Sequence, residues 1–191
     1  METLRKRAIL ADKCWSTKKG RKRMQLTYRK VMMSEASEVF LMLKEAAEWL
    51  RERDIDYWQD WHNPLVQYRE WILEGISKGE FRFAIADHNT IIGMFRLQEE
   101  DELFWGKRTD SSGYLHSFTT KRKYKGQGIG ERILNDIEEM LHKKGVTFIR
   151  LDCGAKLEGL CNYYEEYGFT PIKEICLSGE SLKLYEKRIA L

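Results

Sequence analysis

The chain has 191 residues, 42% hydrophobic and 33% charged, with a formal net charge of +3 and a mean hydropathy of −0.57. That is the composition of a globular protein with a sizeable core, and no apolar run approaches the ~18 residues that a membrane span needs. The N-terminus lacks a secretory apolar stretch, and Cys14, Cys153, Cys161 and Cys176 show no CxxC or metal-ligand spacing, so they read as free thiols in a reducing cytoplasm, with no metal site.

The charge is uneven along the chain. Residues 1–23 hold nine Lys/Arg against Glu2 and Asp12, which leaves 24 basic and 28 acidic residues in 24–191. The expected organisation is a basic, mobile leader (1–23) ahead of one domain (24–191). A basic arm can touch nucleic acid, but a solvated tail explains the same residues, and nucleic acid is not the expected partner.

Gln25 to Val31 reads as a strand, and Ser34 as the N-cap of a helix with Val39, Leu43, Ala46, Ala47 and Leu50 at helical spacing. "DIDYWQDWHNP" is a tryptophan-dense linker, and a second helix follows Pro64 through Tyr68, Trp71 and Ile72. "EFRFAIA" and "IIGMFRLQ", joined by the turn "HNT", form a hairpin, and "YLHSFTT" is the next strand. A helix then runs through Ile129, Ile133, Leu134, Ile137 and Leu141 to a stop at Gly145. "VTFIRLDC" is a strand, Leu157 to Tyr167 a short helix, and "FTPIKEI" and "SLKLYEK" are the closing strands.

The segment "KYKGQGIGERIL" (Lys123 to Leu134) opens the third helix with three glycines, each of which weakens a helix by roughly 1 kcal/mol relative to alanine. At a strand-to-helix junction the glycines have a use. A helix N-terminus presents unpaired N–H groups and a positive dipole end, and glycine lets the backbone approach an anion closely. Lys123 and Lys125 add charge. The P-loop pattern fails, because Glu131 and Arg132 stand where it needs Gly-Lys, and the dinucleotide fingerprint fails at the same Glu131.

The pattern that fits resembles the coenzyme A loop of the GNAT superfamily of N-acetyltransferases, Arg/Gln-x-x-Gly-x-Gly/Ala. Lys125, Gly128 and Gly130 stand at its defined positions, with Gly126 and Ile129 also frequent there. "NYYEEYGF" (Asn162 to Phe169) resembles the family's second motif, "RLDC" resembles its fifth strand, and the order of elements agrees over about residues 25–190. The resemblance implies an α/β fold with a central mixed, mostly antiparallel sheet of about seven strands and about four flanking helices. It implies acetyl-CoA as co-substrate and a small-molecule or peptide amine as acceptor, attacked directly within a ternary complex, and it leaves a homodimer open.

The implied contacts are specific. The pantetheine arm would pair with the strand edge at Phe118, Thr119 and Thr120. The pyrophosphate would meet the backbone of Lys125, Gly126, Gln127, Gly128, Ile129 and Gly130. Tyr164 matches the family's general acid for the departing thiolate, whereas Tyr163 reads as core. The family's Asn at the start of the last helix is replaced by Leu157.

A base is less evident. His116, two residues before Phe118, is the candidate, although an isolated histidine is more often structural. The run Glu99–Glu102 reads as a solvated loop, one member of which could orient a cationic acceptor. Trp49, Trp58, Trp61 and Trp71 serve both packing and the acceptor pocket, with Trp58 and Trp61 favoured as pocket walls because they lie in the linker. Two other functions fit the same residues: a non-catalytic acyl-CoA sensor on this fold, and nucleic-acid binding through the leader.

Overall fold

A computed structural model describes residues 24–177 and 179–189; the basic leader 1–23, with Cys14, lies outside the described residues. The elements run β1 (Thr27–Lys30), α1 (Ala36–Arg51), α2 (Val66–Ser77), β2 (Phe81–Ala86), β3 (Thr90–Gln98), α3 (Glu102–Trp105), β4 (Ser112–Thr120), α4 (Ile129–Lys143), β5 (Phe148–Gly154), α5 (Glu158–Tyr167), β6 (Thr170–Leu177) and β7 (Glu180–Arg188). The strands form one sheet in the order β1-β2-β3-β4-β5-β7-β6. Only the β4–β5 pair is parallel, so the expected mixed, mostly antiparallel seven-stranded sheet is present.

Two local features differ from the sequence reading. Ser34 does not cap α1; it lies in a 3₁₀ turn (Met33–Glu35) that leads into the helix. Glu35 does the capping work instead, accepting from the Met32 amide at 3.0 Å and from both Arg29 guanidinium nitrogens at 2.7 Å. The acidic run Glu99–Glu102 is not all loop, because Asp101 accepts from the Phe104 amide at 3.4 Å and starts the one-turn helix α3.

Apolar periodicity decides which helix covers which face. The stripe Ile129, Ile133, Leu134, Ile137 and Leu141 on α4 packs, with Cys161 and Tyr164 of α5, against Leu115, Ile149, Leu151, Cys153 and Tyr185 of the sheet. On the other face, Val39, Met42 and Leu43 of α1 and Ile72 and Ile76 of α2 cover Phe81, Phe83, Ile85 and Met94. Each fully buried Ile, Leu or Phe contributes about 1.5–3 kcal/mol relative to exposure, so these stripes hold the helices to the sheet.

The β4–β5 junction positions the site. The two strands pair only from Ser112 to Leu115 and from Phe148 to Leu151. Arg150, fully buried, pins this half through Asp110 (2.6 Å), Ser112 (2.7 Å), Tyr114 (3.1 Å) and Glu186 (2.5 Å). Beyond Leu115, β4 stays with β3 and β5 stays with β7, so the strands part. A bulge helps, because Ser117 and Phe118 together face Phe95, and Ser117 adopts φ +49°. Such a bulge bends its strand, and a left-handed serine is the kind of strain that gathers at functional sites.

Candidate active site

The glycine turn lies where β4 leads into α4. Gly126 (φ +75°) and Gly128 (φ +68°) are both left-handed, and nothing stands within 4 Å of where a Cβ would be on either. The backbone around them is short of partners. The Lys125 and Gln127 amides bond back to Arg122 and Tyr124. The amides of Gly126, Gly128, Ile129, Gly130 and Glu131 have no acceptor among the described residues. Five unpaired N–H groups at the positive end of a fifteen-residue helix make an anion nest. Within the expected cradle, Lys125 to Gly130, the Lys125 and Gln127 amides are engaged inside the turn, and the adjoining Glu131 amide is unpaired among the described residues. Gly130 has a further use: a Cβ there would lie 2.8 Å from the Tyr163 hydroxyl.

Cations beside the nest come partly from residues that sequence reasoning missed. Trp49 on α1 is stacked between Arg53 at 4.0 Å and Arg122 at 3.7 Å, with the Lys125 ammonium 5.9 Å from its ring. Burial and the Arg53 charge lower the Arg122 pKa, as expected of a desolvated cation beside a like charge. Trp49 therefore belongs to this cationic stack. Lys123 lies over the Tyr124 ring at 5.1 Å.

From the nest, the open edge of β4 runs back along Thr120, Thr119 and Phe118 to His116. No β5 residue pairs with it. Phe118 packs toward α4 and α5, whereas His116 points to the opposite face, against Trp71 and Phe104. His116 stands between two carboxylates. Its Nε2 is 3.2 Å from Asp101 Oδ2, its Nδ1 is 3.5 Å from Asp152 Oδ1, and the three side chains are only 8%, 6% and 13% exposed. The Nε2–Oδ2 pair is close but poorly aligned, so both atoms lack a proper hydrogen bond among the described residues. Burial raises the Asp152 pKa, the His116 charge opposes the shift, and Asp101 and Glu180 reinforce it. Asp101 and Asp152 were not singled out from the sequence. One looked like part of a solvated acidic run and the other like an ordinary strand residue.

Tyr164, on α5, lies across the gap. Its side chain is buried among Tyr163, Phe169 and Tyr185. Burial lifts its pKa well above the usual value, with further contributions from Cys153, Tyr163, Tyr57 and Asp152. Tyr163 packs on the same core cluster as expected, but its hydroxyl is buried without a partner and its pKa is pushed up to about 12 by burial and Glu131. Leu157 stands at the start of α5 with no side-chain cap, and its Cδ1 packs 3.1 Å from where a Cβ on Gly154 would be.

The tryptophans occupy three different settings. Trp71 forms the wall against His116, with ring centroids 5.8 Å apart, and carries Arg96 at 3.9 Å on its ring. Trp58 and Trp61 are half-buried against the α1–α2 core. Trp58, at φ +63°, stacks on Tyr57 at 5.9 Å.

The acetyltransferase (GNAT) family model matches residues 41–169. The uncharacterized N-acetyltransferase YesJ of Bacillus subtilis (strain 168) is 31% identical over 145 residues, covering 71% of this chain and 76% of that protein. A GNAT-family acetyltransferase from Listeria monocytogenes superposes with a TM-score of 0.68 at 21% identity, over 85% of this chain and 94% of that one. The PaiA N-acetyltransferase of Thermoplasma acidophilum, solved in complex with coenzyme A, superposes with a TM-score of 0.58 at 20% identity, over 86% and 99% of the two chains. Among the described residues no helix is long and apolar enough to cross a membrane.

Proposed function

The chain belongs to the GNAT family of acetyltransferases, and from that premise we propose that it transfers the acetyl group of acetyl-CoA to a primary amine by direct attack in a ternary complex. The observation that carries this reading is the set of five unpaired amides from Gly126 to Glu131, set beside a strand edge that has lost its neighbour. Amide N–H donors at a helix start suit a pyrophosphate, and the open space at Gly126 and Gly128 admits it. The free edge at Phe118, Thr119 and Thr120 suits an extended amide-bearing arm that adds like a strand.

The residues then divide the proton work. A primary amine is mostly protonated at neutral pH, and His116, held between Asp101 and Asp152, takes up the proton that must leave nitrogen. The freed lone pair attacks the thioester carbonyl, a C–N bond forms, and the C–S bond breaks as the tetrahedral adduct collapses. Tyr164 gives its phenolic proton to the departing thiolate. Taken alone that transfer runs uphill, since burial lifts the tyrosine above a thiol's ~8.5, so it accompanies C–S cleavage, and the phenolate is reprotonated from the imidazolium side of the gap.

Two measurements test this: acetyl-CoA binding by calorimetry and release of free thiol on adding amines. Gly128→Val puts a branched side chain on a left-handed residue in the nest, and binding should fall at least tenfold. Unchanged affinity in the folded variant would remove the phosphate-cradle reading. Binding without turnover of any amine would make the protein a sensor of acyl-CoA.

A further inference from the structure

We propose that Cys153 and Cys161 are a redox-sensitive pair, closed to a disulfide by hydroperoxides, and that this bond turns acetyl transfer down. The loss of activity rests on the acetyl-transfer reading above. The bond itself does not, and the experiment separates the two.

The chain has four cysteines. Two of them meet across two elements: Cys153 on β5 and Cys161 on α5 have their sulfurs 3.8 Å apart. Both are free thiols, 1% and 4% exposed, whereas Cys176 is a free thiol on the exposed strand β6. The carbonyls of Gly154 and Ala155 lie 3.8 and 3.9 Å from the Cys161 sulfur and accept its S–H. A sulfur lone pair is thereby left toward Cys153. The two sulfurs at 3.8 Å need to close by about 1.8 Å to reach an S–S bond of ~2.05 Å.

Each cysteine adjoins a residue with a role in the site. Cys153 follows Asp152, which faces His116. Cys161 stands one turn before Tyr164 on α5, and the Cys153 thiol adds to the raised pKa of Tyr164. One covalent bond therefore ties the strand that carries Asp152 to the helix that carries Tyr164. Closing it draws the N-terminal half of α5 toward β5 and shifts the Tyr164 hydroxyl with it. A misplacement of about 1 Å in a catalytic group costs on the order of 10²-fold in rate.

The chemistry balances with a hydroperoxide as the sole oxidant. One sulfur attacks the peroxide O–O bond and becomes a sulfenic acid as water leaves. The other sulfur then attacks the sulfenic sulfur, the S–S bond forms, and hydroxide departs with the second thiol proton as water. Two thiols lose two electrons between them, and one peroxide bond gains them. The thiolate is the attacking form, and burial with the neighbouring Cys161 pushes the Cys153 thiol up. The resting pair therefore stays reduced and answers sustained rather than passing exposure. Access comes through the start of α5, which has no side-chain cap at Leu157 and open space at Gly159 in its first turn. An uncapped helix end lacks about 1 kcal/mol of stabilisation and is where fraying begins.

Two buried thiols also serve as small apolar filler, and the two roles differ in what oxidation does. The test uses the full chain carrying Cys14→Ser and Cys176→Ser, so that only this pair remains. It is treated with millimolar hydrogen peroxide and then desalted. Intact mass should fall by two hydrogens, peptide mapping should join Cys153 to Cys161, and dithiothreitol should reverse both. Acetylation of a panel of primary amines, followed as loss of thioester absorbance, should drop in kcat by roughly tenfold or more in the oxidised protein and recover on reduction. Cys161→Ala in the same background should keep its activity through the treatment; if that variant does not fold, Cys153→Ala takes its place. Absence of a Cys153–Cys161 link, a link that leaves kcat unchanged, or equal loss of activity in the parent and the alanine variant would each overturn the proposal. If no amine is turned over before oxidation, that counts against acetyl transfer, while mass and mapping still decide the bond.

Discussion

The Tyr163 hydroxyl lies 2.8 Å from where a Cβ on Gly130 would stand. The glycine at this position therefore admits a side chain from α5 as well as opening the α4 N-terminus. Alanine at Gly130 would gain helix propensity of about 1 kcal/mol but meet the hydroxyl below van der Waals distance, and overpacking of that kind costs about 1–3 kcal/mol. Gly130→Ala should lower thermal stability in the wild-type background and raise it in a Tyr163→Phe background. A double-mutant cycle by denaturant unfolding measures the coupling. Additive effects would show that the ring moves aside freely.

Asp110 and Arg150 set the acid stability of the sheet. The Arg150 guanidinium holds the Asp110 carboxyl well below the usual carboxylate range, with help from Arg108 and Ser112. The unfolded chain, with Asp110 near its ordinary value of 3.8, takes up the proton first as the pH falls. The stabilisation is thus complete above that value and drains away below it. Asp110→Asn removes half of the support of a buried guanidinium and should cost on the order of 3 kcal/mol at neutral pH. It should also flatten the loss of stability between about pH 4 and pH 2, which urea titrations at several pH values would resolve.

How much of this was legible beforehand depended on range. The stripe at Ile129, Ile133, Ile137 and Leu141 and the alternation in "EFRFAIA" are written within a few residues, so α4 and β2 were readable, as was the glycine turn. Relations between distant residues were not. Arg122 meets Trp49 across seventy-three positions, and nothing near either marks the stack. Asp101 sits in a run of four acids that reads as solvated, yet the one turn of α3 swings it onto His116. The parting of β4 and β5 depends on where pairing stops, which nothing local in the segments His116–Thr120 and Asp152–Gly154 records.

His116 should matter most where the acceptor is fully protonated. His116→Gln keeps a polar group of similar reach and removes the proposed proton acceptor, so kcat/KM at pH 7 should fall by about 10²–10³. The deficit should narrow as the pH approaches ~10, where a primary amine loses its proton unaided. Asp152 faces Nδ1 and Asp101 faces Nε2, while Arg96, on whose charge Asp101 also acts, is engaged by Glu80 and the Trp71 carbonyl. Because the Asp152 pKa is raised, the acid limb of the wild-type profile should lie above the ordinary aspartate range. A His116→Gln profile parallel to wild type at every pH would assign the residue to packing.

Tyr164 tests the leaving-group step. Its phenol keeps its proton at neutral pH because burial and the neighbouring Cys153, Tyr163, Tyr57 and Asp152 all disfavour the phenolate. Phenylalanine preserves the ring contacts with Phe169 and Tyr185 and deletes only the donor. A positioned acid contributes about 10²–10⁴-fold, so Tyr164→Phe should lower kcat within that range while acetyl-CoA affinity changes little, because the proposed cradle for the coenzyme is the set of unpaired amides at Gly126 and Gly128 to Glu131. Tyr163→Phe is the matched control: it removes a hydroxyl from the neighbouring ring, on the side facing Gly130, and should leave kcat within a few-fold of wild type. The deficit of Tyr164→Phe should also shrink with a thioester whose thiol is more acidic, since a better leaving group needs less help. Full activity in Tyr164→Phe with chemistry rate-limiting would mean that the thiolate departs unassisted. Equal losses in both variants, accompanied by lower melting temperatures, would make the two tyrosines a packing pair and move the search for the acid to Tyr57, which borders the same gap.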